Sequence, residues 1–306
     1  MSSSEATKGR YAPSPTGALH LGNLRTALIA WLCARSTGSG FVLRIEDLDA
    51  GRVRAEHLEG QLRDLRALGI DWDGDPVRQS SRLPLYAAAL HQLKAQNRVY
   101  ACFCSRREIR EAASAPHNDG EQVLYPGTCR VLSSHEAASR MAAGEPHAMR
   151  LRAEHAQVDI TDQRHGPHSA IVDDLVLVRR DGAFAYNLAV VVDDAEQGIE
   201  EVVRGDDLLA STPDQALLCD LLGLPRPSWF HVPLVLGVDG ERLSKRHGAV
   251  TLSDLAAEGI GATQVRSRLA RSLGLAEAEE EPSPGVLVAR FDRDALPTEP
   301  WILGAG

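Results

Sequence analysis

Between Leu24 and Leu32 the apolar residues Leu24, Ala27, Leu28, Trp31 and Leu32 recur at the i, i+3, i+4, i+7, i+8 spacing of a helix that buries one face. That spacing predicts a helix beginning close to Gly22 and Asn23, directly after the loop "RYAPSPTG". Further on, "FVLRIED" reads as a buried strand, and "VRAEHLEGQLRDLRALG" as a helix with Leu58, Leu62, Leu65 and Leu68 on one face. A second helix is predicted to begin near Leu83, and "RVYACF" reads as another strand. Strands alternating with helices imply βαβ units and a parallel sheet. Ligands of such sheets bind beyond the carboxyl ends of the strands, where the turn at 18–28 would lie.

The alternation breaks between about Cys102 and Pro167, a stretch rich in His, Ser, Gly and charge that reads as an insertion. It returns with "AIVDDLVLVRRDGAFAYNLAVVVDDAEQGIEEVVRG", in which Asp181-Gly182 marks a hairpin turn. "STPDQALLCDLLGL" follows as a helix, and a second Asp-Gly pair feeds the basic loop of "FHVPLVLGVDGERLSKRHGAV". The acidic run "AEAEEE" and the "PSPG" after it read as a solvated helix end and a linker.

Composition narrows the function classes. With 306 residues the chain can bury a substantial core. A formal net charge of -9 disfavours binding nucleic acid by general attraction, so an RNA partner needs a local basic patch. No apolar run approaches a membrane span and the N-terminus has no export signal, so the expected setting is the cytoplasm, with no membrane partner. Five cysteines, an odd number, do not suit a disulfide scaffold. Cys33 and Cys219 fall in apolar helical patterns and read as buried thiols, whereas Cys102, Cys104 and Cys129 cluster.

Two stretches carry chemistry. The first amides of a helix lack partners within it and, with the macrodipole, favour an anion such as phosphate. Gly22 lets a ligand approach them and His20 stands beside as a movable donor; the plainer alternative makes Asn23 an N-cap and His20 a surface residue. In "RLSKR" three cations fall within Arg242–Arg246, and a mobile lysine there could neutralise charge developing on phosphates. Alone, that loop reads as solvated surface. Beside the His-x-Gly-Asn turn and the β/α frame, it reads as the second half of a nucleotide-transfer site.

In these motifs the sequence resembles the class I aminoacyl-tRNA synthetases, and within them the glutamyl branch. "RYAPSPTGALHLGN" is similar to that branch's ATP-binding signature, "FVLRIEDLD" to its following strand, "AYNLAVVVDD" and "VVRGDDLLASTP" to its second half, and "RLSKR" to its lysine loop. Leu243 stands where the branch more commonly has Met, and Arg246 where it has a final Ser. The fold implied is α/β, a Rossmann-like catalytic domain with halves at 1–101 and 168–235. A zinc-binding insertion would occupy 102–167, and the lysine loop with a short helical C-terminal region 236–306. By resemblance, glutamate is bound by Arg10, Ala12, Ser14, Glu46, Tyr186 and Arg204, and ATP with Mg2+ by His20, Gly22, Asn23 and Lys245, of which His20 and Lys245 are catalytic. The residue types suit these roles: Arg10 and Arg204 offer rigid forks for carboxylates, Glu46 a countercharge for the α-ammonium, and Tyr186 a hydroxyl.

Cys102, Cys104 and Cys129 with Tyr125 are similar to the family's zinc knuckle. Thiolates are soft ligands suited to Zn2+, and a structural site takes a fourth protein group. The resemblance nominates Tyr125, whereas His117 or His135 would be the ordinary chemical choice. The absence of a long helical region after the lysine loop is similar to a stand-alone paralogue of the catalytic half. What this implies is a ligase, expected as a monomer, that activates L-glutamate with ATP without tRNA and passes it to queuosine in the anticodon of tRNA(Asp). A shortened enzyme charging tRNA(Glu), or a non-catalytic glutamate- or RNA-binding relative, are the alternatives.

Overall fold

The computed structural model describes residues 7–105, 107–109, 125–243 and 250–304. In chain order its first elements are β1 (Lys8–Tyr11), α1 (Leu21–Ser36), β2 (Gly40–Ile45), α2 (Ala55–Ala67), β3 (Val77–Arg78), α3 (Leu83–Ala95) and β4 (Val99–Cys102). Then come α4 (Ser134–Ala142), β5 (Ala148–Leu151), β6 (Gln157–Asp162), β7 (Gly166–Ile171), β8 (Val176–Val178), α5 (Tyr186–Glu196) and β9 (Glu201–Gly205). The remainder is α6 (Thr212–Leu222), β10 (Ser228–Val232), β11 (Val235–Leu236), α7 (Leu252–Ala257), α8 (Ala262–Arg271), α9 (Pro284–Arg290) and β12 (Trp301–Ile302).

The main sheet has the order β3-β2-β1-β9-β10-β6-β7. Its pairs are parallel from β3 through β6, and β7 closes the edge as the antiparallel arm of a hairpin with β6. β1 and β9, consecutive in the sheet but far apart in sequence, bring the two halves of the chain together, with the loops after them on the same edge. That edge is the strands' carboxyl end, where the ligand site of such a sheet belongs.

Three expectations change. β4, read as part of the parallel sheet, instead pairs antiparallel with β5 in a separate sheet, β4-β5-β8. Alternation of strand and helix says that a strand exists but not which sheet receives it. Here Tyr100, Ala101 and Cys102 form a small core of their own with Phe103, Tyr125 and Cys129. The stretch 102–167 therefore divides its strands, β5 going to the small sheet and β6 with the start of β7 to the main one. α1 does not bury one face only: Leu24, Arg25 and every residue from Ala27 to Ala34 are buried. The sheet covers one side of it and Val265, Leu269 and Leu287 of the C-terminal helices the other. Arg25, inside that contact, is held by Pro233 O at 2.9 Å and Ser272 Oγ at 3.1 Å, and burial lowers its guanidinium pKa to about 10. Lastly, "PSPG" begins a helix rather than a linker, because Ser283 caps α9 and Pro284 takes the first helical position, where a missing N–H costs nothing.

Both Asp-Gly pairs turn the chain as read. Gly182 and Gly240 take φ of 83° and 76°, which suits glycine, and each turn is closed by a backbone bond, Arg179 N–H to Ala183 O and Gly237 N–H to Glu241 O, both 2.8 Å. Cys33 and Cys219 are buried, which pushes both thiols up to about 12. No helix among the described residues is long and apolar enough to cross a membrane.

Candidate active site

A cavity of about 730 Å³ opens at the carboxyl ends of β1, β2 and β9. Arg10, Ala12, Ser14, His20, Gly22, Asn23, Glu46, Tyr186 and Arg204 all line it. Their meeting follows from local bonds. Pro13 O accepts from Glu46 N–H at 3.0 Å, tying the first loop to the end of β2. Gln61 on α2 donates to Ser14 O at 3.0 Å and Gly17 O at 2.8 Å, fixing the rest of that loop.

At the start of α1, His20 is the N-cap, not Asn23. Its Nδ1 accepts from Asn23 N–H and Asn23 Oδ1 accepts from His20 N–H, each at 3.2 Å, a reciprocal cap. Burial and the nearby Arg242 charge hold the His20 pKa below its ordinary value, so the ring is neutral at pH 7. With Nδ1 used as an acceptor, its proton sits on Nε2, and a neutral donor stands beside the helix start. A Cβ on Gly22 would come within 3.0 Å of that ring, so glycine is what lets the ring lie against the first turn. Leu21 N–H is taken by Val250 O at 2.8 Å, which narrows the anion site expected there and anchors the chain leaving the lysine loop to the start of α1.

The other end of the cavity is charged and buried. Arg10 donates from Nε to Asp194 Oδ1 at 3.3 Å and from Nη1 to Val203 O at 3.3 Å. Arg44, wholly buried, meets the same carboxylate oxygen at 2.6 Å, and reaches Glu46 only at 3.5 Å. Glu46 is thus paired with Arg44 only at the long end of hydrogen-bond distance, and it also lines the cavity. Burial raises its pKa, while Arg44 and Arg10 pull it back. Arg204 makes a different set of contacts: Nε to His231 Nε2 at 3.0 Å, Nη1 to Gln215 Oε1 at 2.9 Å and Tyr186 OH at 3.4 Å, and Nη2 to Thr212 Oγ1 at 2.8 Å. None of these partners is a carboxylate, and burial pushes its pKa down. A buried guanidinium held by neutral acceptors is ready for an anion from outside the chain.

In the small sheet the sulfurs of Cys102, Cys104 and Cys129 lie within 4.8 Å of one another and could hold a metal ion. The Tyr125 hydroxyl lies 3.4 Å from Cys102 Sγ and 3.8 Å from Cys104 Sγ, and accepts from Cys129 N–H at 2.7 Å. Four ligands about 2.3 Å from one zinc would be separated by about 3.8 Å, and the distances from the Tyr125 hydroxyl to two of the sulfurs, with 3.5 Å between Cys104 Sγ and Cys129 Sγ, are of that size. His135 is exposed, and among the described residues no histidine or carboxylate joins the cluster. Lys245 and His117 lie outside the described residues.

The residues that hold this site in shape were not singled out in the sequence, although each left a trace. Arg44 interrupts the apolar "FVLRI", and Asp193 and Asp194 are adjacent carboxylates in the apolar run "AVVVDDAE". Charges inside buried patterns must be paired. Asp193 duly receives Gln79 Nε2 at 2.8 Å, Arg82 Nε at 2.6 Å and Tyr86 OH at 2.8 Å, joining α3 to α5.

A parallel sheet, an anion-receptive helix start opposite a charged pocket, and a lysine loop rooted between them define the catalytic domain of a class I synthetase. The sequence matches the family described as tRNA synthetases class I (E and Q), catalytic domain, over residues 6–281, and the chain belongs to that family of ligases. It is 57% identical over 295 residues to the glutamyl-Q tRNA(Asp) synthetase of Nocardia farcinica, covering 96% of this chain and 92% of that one. It is 54% identical to the glutamyl-Q tRNA(Asp) synthetase of Cutibacterium acnes, over 89% of this chain and 77% of that one. Among solved structures, a glutamate tRNA ligase from Elizabethkingia meningosepticum in complex with its amino acid superposes with a TM-score of 0.85 at 27% identity, over 98% of this chain and 68% of that one.

Proposed function

We propose that the chain activates L-glutamate with ATP to glutamyl-adenylate, without tRNA, and transfers the glutamyl group to queuosine in the anticodon of tRNA(Asp). The observation that carries the first half is charge complementarity. Two cations, Arg10 and Arg204, and one anion, Glu46, face the cavity together, beside Arg242 and Asp207, which pair with each other. Two carboxylates and one ammonium, which is the charge pattern of glutamate, fill that set without leaving a buried charge unpaired. Glu46 takes the α-ammonium, Arg10 and Arg204 the carboxylates, and Tyr186 adds its hydroxyl; Ala12 and Ser14 form the facing wall.

An oxygen of the α-carboxylate attacks the α-phosphorus of ATP in line, and the bond to pyrophosphate breaks. His20 Nε2–H, the helix start at Gly22 and Asn23, and Lys245 stabilise the charge that gathers on the phosphates, and Mg2+ accompanies the nucleotide. No protein nucleophile is required. A hydroxyl of the acceptor then attacks the activated carbonyl and AMP leaves. Queuosine as the acceptor rests on the names of the relatives at 57% and 54% identity. The likeness to a glutamate tRNA ligase supports a second reading, a shortened enzyme charging tRNA(Glu). Radiolabelled glutamate decides between them: we expect label in tRNA(Asp) from cells that make queuosine, and none in tRNA(Asp) from cells that do not or in tRNA(Glu). Label in tRNA(Glu), or equal label in both tRNA(Asp) samples, gives the second reading its place. A cytoplasmic monomer is the form in which we propose it works.

Cys102, Cys104, Cys129 and Tyr125 we assign as ligands of a structural Zn2+, which would clamp the small sheet and supply folding free energy there. Protein purified without chelator is expected to contain about one zinc per chain, and Cys129→Ala to lose it and to melt at a lower temperature. Tyr125→Phe is expected to weaken zinc retention; full retention would move the fourth ligand to another group.

A further inference from the structure

Arg204 is aimed by a chain of two buried residues that do not themselves line the cavity. His231 on β10 offers Nε2 to Arg204 Nε at 3.0 Å, and its Nδ1 lies 2.6 Å from Asp162 Oδ2 at the end of β6. The side chains of His231 and Asp162 are both 0% exposed. Asp162 is itself saturated as an acceptor. Its Oδ1 takes the amides of Arg164 at 3.0 Å and His165 at 2.9 Å, and its Oδ2 also takes His231 N–H at 3.1 Å. Surrounded by donors, it is held well below the usual carboxylate range, at about 2, and stays ionised.

An ionised carboxylate can only accept, so the proton of the neutral imidazole must sit on Nδ1 and the lone pair on Nε2. That lone pair is what Arg204 Nε–H needs. In the opposite tautomer two N–H groups would face each other and the guanidinium would be turned out of its place. The Thr212 hydroxyl, 3.3 Å from the same Nε2, is a second neighbour compatible with an acceptor there.

We propose that Asp162, acting through the tautomer of His231, is a positioning residue that sets the orientation of Arg204 and with it the affinity for a substrate carboxylate. The hairpin β6–β7 thereby has a task in the site: it carries the aspartate to the far side of β10 from β9. The proposal rests on Arg204 being a glutamate-binding residue, and the experiment separates the two.

Glutamate-dependent ATP–pyrophosphate exchange is measured for four variants, with KM for glutamate and for ATP and kcat determined for each. Asp162→Asn, nearly isosteric, presents an N–H to Nδ1 and reverses the tautomer; it is expected to raise the glutamate KM about tenfold or more, with the ATP KM within about twofold and kcat within about threefold, the pattern of lost uniform binding. His231→Leu is expected to do the same. His231→Gln, whose Oε1 can reach the place of Nε2, is expected to return the glutamate KM to within about threefold of the parent, a rescue that a merely space-filling role would not give. A glutamate KM unchanged in Asp162→Asn, both KM values moving alike, or His231→Gln as impaired as His231→Leu would each overturn the proposal. If Asp162→Asn does not fold, the two His231 variants decide alone. Arg204→Lys is the control: if it leaves the glutamate KM unchanged, the pocket reading itself fails, whereas a raised KM there with none in Asp162→Asn removes only the chain of positioning residues.

Discussion

Lys245→Ala is expected to lower glutamate-dependent ATP–pyrophosphate exchange by two to three orders of magnitude while leaving the melting temperature within about 2 °C of the parent, the scale seen when one preorganised charge stabiliser is removed. The assignment rests on "RLSKR" and on where the flanking residues lie. Arg242 and Leu243 line the cavity, and Arg242 pairs with Asp207, which also lines it. On the other side of the loop, Val250 O binds Leu21 N–H at 2.8 Å, and Thr251 bridges to His20. The residues on either side of the loop therefore lie beside His20 and the start of α1, which we propose face the phosphates, and Lys245 follows the cavity-lining Leu243 by two positions. A cation acting on charge that develops during transfer should change kcat more than either KM. A loss smaller than about threefold would remove Lys245 from the mechanism. The departures at Leu243 and Arg246 leave this expectation in place, because Leu243 is buried in the wall and neither residue supplies the ammonium.

Much of this arrangement was legible in the sequence because its signals are local. The spacing in α1, the glycine at Gly22 and the Asp-Gly turns each depend on neighbours within a few positions, and the motifs that resemble the glutamyl branch are contiguous. What was not legible depends on pairs far apart in the chain. Nothing near Arg44 says that Asp194 will meet it, and nothing near Asp162 says that His231 will. The same limit explains β4: its own residues specify an extended segment, but its partner β5 lies beyond a long stretch of polar sequence. It explains α1 as well, since the residues that cover its second face come from the C-terminal helices. His20 shows a subtler limit. A histidine before a helix reads either as a movable donor or as a plain surface residue, yet here its Nδ1 caps the helix, and the capping bond fixes which nitrogen is left to donate.

The other large effect falls on the substrate carboxylate. Arg204→Ala is expected to raise the KM for glutamate by roughly a hundredfold or more and to change the KM for ATP by less than about threefold. Truncating one member of a desolvated, hydrogen-bonded charge pair costs on the order of 2–5 kcal/mol, because the partner is left buried without a countercharge. On the proposed reading the partner is the substrate, so the cost appears as lost affinity. Arg204 is well placed to incur it: the groups holding it, His231, Gln215, Thr212 and Tyr186, are neutral or hydroxylic, and they keep its shape without cancelling its charge. Arg10 makes a useful contrast, since it shares the Asp194 carboxylate with Arg44 and meets a substrate with its charge already partly balanced. Arg10→Ala should therefore raise the glutamate KM by less than Arg204→Ala does. Arg204→Lys keeps a cation but not the fork, and is expected to fall between the parent and Arg204→Ala. Steady-state exchange kinetics with each substrate varied at saturation of the other checks all three variants. Equal increases in both KM values, or a larger effect at Arg10 than at Arg204, would show that the uncompensated guanidinium is not what binds the carboxylate.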